Sequence, residues 1–72
     1  MKLNRFEREE LALAVYFKAL GVGAQQPSSD LTEVMRDGRV KFSNSLGLLA
    51  TVHPNGRIVA ADGAVIQEGG AA

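Results

Sequence analysis

The chain has 72 residues, no cysteine, and eight basic side chains balanced by eight acidic ones. This composition excludes a disulfide framework or a thiolate metal site. It also supplies no whole-chain electrostatic attraction to nucleic acid or anionic membranes. A chain this short makes one domain, which buries only about 60% of the surface its unfolded form exposes.

The firmest element is an amphipathic helix from Asn4 to Leu20. Asn4 followed three residues later by Glu7 is a capping-box pattern that satisfies exposed amide donors. Glu7, Glu9 and Glu10 lie near the positive end of the helix dipole and Lys18 near the negative end. At 100° per residue, Phe6, Leu13, Phe17 and Leu20 form one stripe, flanked by Ala14 and Tyr16. Leu11, Ala12, Val15 and Ala19 form a second stripe opposite it. Gly21 supplies a helix stop, with Val22 placed for the apolar contact that accompanies one.

Gly23 to Ser29 is rich in Gly, Gln, Pro and Ser and reads as a loop. Asp30-Leu31-Thr32-Glu33 again has the spacing of a capped helix start. With Gly38 as its stop, this helix has room for about two turns, anchored by Leu31, Val34 and Met35. Beyond Gly38 the pattern alternates. Arg39 to Ser43 reads as a strand with its basic pair on one face and its apolar pair on the other. Asn44 and Ser45 turn the chain into a central strand, Leu46 to His53, apolar on both faces. Pro54-Asn55-Gly56 is a strong hairpin signal. Ile58 to Ala61 returns, Asp62-Gly63 turns again, and Ala64 to Gln67 is an edge strand. The expected fold is α+β: an N-terminal helix and a short second helix packed on a three- or four-stranded antiparallel β-meander. The domain is expected over 1–68, with 69–72 as a flexible tail. Phe6, Leu13, Phe17, Leu20, Val40, Phe42, Leu48, Val52 and Ile58 are the expected core.

No residue pattern points to catalysis, a metal or a cofactor. His53, the single histidine, precedes a proline at a turn, and a general base needs a positioned partner. Asp62 lies nine residues further on, and the sequence does not bring the two together. The three glutamates of the first helix are accounted for by helix-start electrostatics. Gly21-Val22-Gly23-Ala24 follows a helix, whereas a phosphate-binding loop follows a strand. No apolar run approaches the ~20 residues of a membrane span, and Met1-Lys2 does not lead into a signal peptide. The expected setting is a cytoplasm.

Binding features are better represented. Arg36, Arg39, Lys41 and Arg57 make the middle of the chain locally basic. They either protect an edge from aggregation or steer an acidic protein surface. Without interleaved aromatics they form a poor nucleic-acid platform. The second helix stripe either packs under Gln25–Pro27 or meets a partner, which could be a second copy in a homodimer or a larger protein. The expected partner-contacting residues are Leu11 and Val15 on the helix, Arg39 and Lys41 on the strand, and His53 and Arg57 at the hairpin.

In length and in order of elements, the chain resembles the small transcription regulators of Xanthomonas phages that bind bacterial RNA polymerase. The resemblance rests on the N-terminal helix opened by Asn4-Arg5-Phe6-Glu7-Arg8-Glu9-Glu10-Leu11, the small sheet that follows, and the tail. It implies a non-enzymatic regulator in the cytoplasm of a bacterial host, which binds RNA polymerase, opposes the σ factor at host promoters and promotes read-through of terminators. An inhibitor of another host complex, such as a defence nuclease, would share the same steric logic; a structural module that self-assembles through the second helix stripe is the other alternative.

Overall fold

The computed structural model describes residues 4–70. Helix α1 spans Arg5–Leu20, and its capping box is formed as the sequence requires. The Asn4 side chain accepts from the Glu7 N–H at 2.9 Å, and Glu7 accepts from the Asn4 N–H at 2.9 Å. Gly21 ends the helix at φ 73°, its N–H donating to the Phe17 carbonyl. Val22 makes no apolar contact at this stop; it is fully exposed.

The sheet has five strands where the sequence suggested three or four: β1 Glu33–Val34, β2 Val40–Asn44, β3 Gly47–Val52, β4 Ile58–Ala60 and β5 Val65–Gln67. It is an antiparallel meander in the order β1-β2-β3-β4-β5, with β3 central. The extra strand occupies the segment whose spacing suggested a second helix. There the chain makes only a single 3-10 turn, Ser29–Leu31, before entering β1. Two contacts hold it extended: the Ser28 N–H donates to the Ser43 carbonyl at 2.8 Å, and buried Thr32 donates its hydroxyl to the Ser28 carbonyl at 2.8 Å. Asp37-Gly38 therefore closes a hairpin and does not stop a helix.

Three of the four hairpin connections are built alike. Met35–Arg39, His53–Arg57 and Ala60–Ala64 each close with a backbone bond from the fourth residue to the first and another from the first to the fifth. In each, Asp37, Asn55 or Asp62 accepts from the N–H two residues on, at 2.9–3.1 Å. An Asx side chain followed by glycine at positive φ is what such a loop demands.

One helix covers one face of the sheet. Val40, Phe42, Ala50, Val52 and Ile58 are buried beneath α1, along with Ala12 and Tyr16 from the helix. The helix is rolled by roughly a quarter turn from the orientation its bulkiest stripe suggested. Leu13, Phe17 and Leu20 are only partly buried against the core, and Phe6 is 78% exposed. The reason is complementarity of size. The sheet offers its bulk at Phe42, and alanines at 12 and 19 let the helix approach, with Tyr16 stacked against Phe42 at a centroid distance of 5.4 Å.

Leu48 is a second correction, being 40% exposed. Simple alternation would place it in the core with Ala50 and Val52. A β-bulge intervenes: Phe42 pairs with Ala50 but Ser43 pairs with Leu48, leaving Leu49 as the extra residue. Leu48 is thereby carried to the open face of the sheet.

Candidate functional site

A meander places alternate connections at the same end of the sheet, so the Met35–Arg39 and His53–Arg57 loops are neighbours. They touch: a Cβ added at Gly38 would lie 2.8 Å from Pro54 Cγ. The flank of α1 passes in front of this pair of loops. Between them lies a cleft of about 410 Å³, with Leu11 and Val15 on the helix wall, Ala12 and Val52 at depth, and Gly38 and His53–Gly56 on the loop wall. Arg8 and Asp37 stand at its margin. A second hollow of about 280 Å³ shares Arg8 and is completed by Arg5, Val34, Met35 and Arg36.

Three of the residues singled out by sequence, Leu11, Val15 and His53, thus converge on one cleft. Leu11 stays 57% exposed at its rim. Val15 is half-buried and also packs on the core, so it serves the fold as well as the cleft. The Gln25–Pro27 loop does not cover either residue through its bonds. Gln25 accepts from the Tyr16 hydroxyl at 3.1 Å and from Asn44 Nδ2 at 3.2 Å.

The basic residues are dispersed. Arg39 lies just before β2, and its Nε donates to Asp37 Oδ2 at 2.7 Å. The Arg39 backbone N–H, reinforced by the guanidinium charge, holds the Asp37 carboxyl below the usual carboxylate range. Lys41 stands on the open face of the sheet, opposite Glu33 and Thr51 in the neighbouring strands, away from the cleft. Arg57 faces Glu68 at 4.0 Å. Sequence reasoning missed Arg5 and Arg8, which join Arg36 around the second hollow. The signal was their i, i+3 spacing on the helix flank that also carries Val15.

The far end of the chain is tied to the same region. Gln67 Nε2 donates to the Gly56 carbonyl at 2.9 Å and the Gly70 N–H donates to the Asn55 carbonyl at 3.1 Å. Residues 71–72 of the expected tail lie outside the described residues.

Chemically, the arrangement offers shape, apolar surface and positive charge. His53 and Asp62 flank β4 at opposite ends of the sheet, so they form no dyad. Among the described residues, no three His, Cys, Asp or Glu side chains gather into a potential metal site. Nor is any helix there long and apolar enough to cross a membrane. Comparison with protein-family models, curated proteins and solved structures returned no match.

Proposed function

We propose that this protein is a non-enzymatic protein-docking module of the phage-regulator type, and that its partner is bacterial RNA polymerase. One observation carries the docking reading: the concave surface between α1 and two abutting hairpin loops, where Leu11, Val15, His53 and Pro54 meet. A concave, largely apolar surface with a few polar groups is the usual form of a binding site. The choice of polymerase is supported by the resemblance in chain length and element order. Mechanism on this reading is occupancy: the bound module blocks the σ-dependent step at host promoters and alters the elongating enzyme so that it passes terminators.

The test is binding of purified, tagged protein to purified Xanthomonas RNA polymerase core, with Leu11→Asp as the variant. Leu11 is exposed and outside the buried core, so the variant keeps its fold. The native chain should co-elute with the β and β′ subunits, and Leu11→Asp should lose at least about tenfold in affinity, the cost of placing a charge in an apolar contact. Equal binding by both proteins contradicts the cleft. No binding by either contradicts the choice of polymerase.

A further inference from the structure

We propose that the cleft and the hollow beside it form one recognition groove for a short acidic-apolar segment of a partner protein, with leucine-like side chains in the first and carboxylates at the second. This deepens the docking reading and rests on it. The observation behind it is where the charge sits. The chain as a whole is neutral, yet Arg5, Arg8 and Arg36 line one hollow of about 280 Å³. The two ion pairs among the described residues, Arg39–Asp37 and Arg57–Glu68, involve none of the three. Three guanidiniums around one depression repel one another, and an incoming anion relieves that repulsion. Arginine is also suited to hold carboxylates through paired N–H donors.

Arg8 lines both hollows, so the charged site and the apolar one are adjacent, within reach of one short segment. At about 410 Å³ the apolar cleft lies at the small end of ligand pockets, a size for one or two side chains. Its wall of Leu11, Val15 and Pro54 selects apolar ones. Single-stranded nucleic acid would satisfy the arginines too, but it binds by stacking bases on aromatic rings. No Phe, Tyr or Trp lines either hollow, and His53 is the sole aromatic ring there. An acidic peptide fits both halves of the groove.

The experiment is a fluorescence-anisotropy titration of the full chain with a labelled peptide, Glu-Glu-Leu-Leu-Glu-Glu. The controls are Lys-Lys-Leu-Leu-Lys-Lys, Glu-Glu-Ser-Ser-Glu-Glu and oligothymidylate. The proposal expects the first peptide to bind at least about tenfold more tightly than any control, and more weakly as salt rises. Arg8→Glu with Arg36→Glu should abolish that preference while circular dichroism shows the fold intact, and Arg5→Glu alone should reduce it. Equal binding of all four probes, absence of peptide binding, or tighter binding of oligothymidylate overturns the proposal. The same double variant also separates the two claims. If it binds polymerase as the native chain does while Leu11→Asp fails, the acidic-segment inference is wrong and the docking reading stands.

Discussion

Tyr16 ties the helix to both the sheet and the loop that follows the helix. It is 2% exposed, lies 5.4 Å from Phe42 and 5.3 Å from Phe17 by ring centroid, and donates its hydroxyl to the Gln25 carbonyl. Burial raises its pKa above the ordinary phenol value, because the tyrosinate would lose hydration. The sign of the linkage follows. The unfolded chain ionises near pH 10 while the folded one still holds its proton. The stabilisation is therefore complete below that pH and is lost as pH rises through the folded value. Tyr16→Phe should cost about 1 kcal/mol at neutral pH, the worth of one hydrogen bond. It should also flatten the alkaline fall in stability, which urea unfolding at pH 7 and above pH 10 would show. An unchanged alkaline slope would mean that another group is responsible.

At the scale of elements, the paired loops decide the shape of the binding end. Gly38 has φ 97° and faces Pro54, so a side chain there meets both backbone strain and a collision with the next loop. Gly38→Ala should destabilise by about 2 kcal/mol and weaken partner binding with it. Gly23→Ala is the matched control: it has open space and no positive φ, and thermal unfolding should place it within about 0.5 kcal/mol of the native chain. Equal effects would show that the loop packing does not constrain the cleft. These elements also show how far the sequence could be read. The capping box of α1, the central strand and the Asn55-Gly56 and Asp62-Gly63 turns were legible because each depends on residues a few positions apart. Asp37-Gly38 carries the same signal. It reads as a helix stop because Asp30 and Glu33 imitate a helix start, and only the pairing of Glu33 with Lys41 across the hairpin decides otherwise. The bulge at Leu49 and the roll of α1 depend on tertiary fit, which local pattern does not encode. The i, i+3 spacing of Arg5 and Arg8 marks a basic flank of the helix, but only tertiary packing brings Arg36 beside them.

At the scale of the whole molecule, one helix and one sheet expose 5067 Å². A standard interface takes about 800 Å² from each partner, here about a sixth of the surface. Two regions could supply it. The open sheet face carries the row Glu33, Lys41, Thr51, Val59 and Val65, with Leu48 beside it, a mixed surface that lines neither hollow. The end with the paired loops is concave and joins apolar to cationic surface. The docking account rests on that end. It is tested most directly by hydrogen–deuterium exchange of the chain alone and in complex with purified RNA polymerase core. The account predicts slowed exchange in residues 36–39 and 53–57 and along the first half of α1, with β5 and the open-face residues unchanged. Protection confined to β5 and the open face, or no protection anywhere, would contradict it.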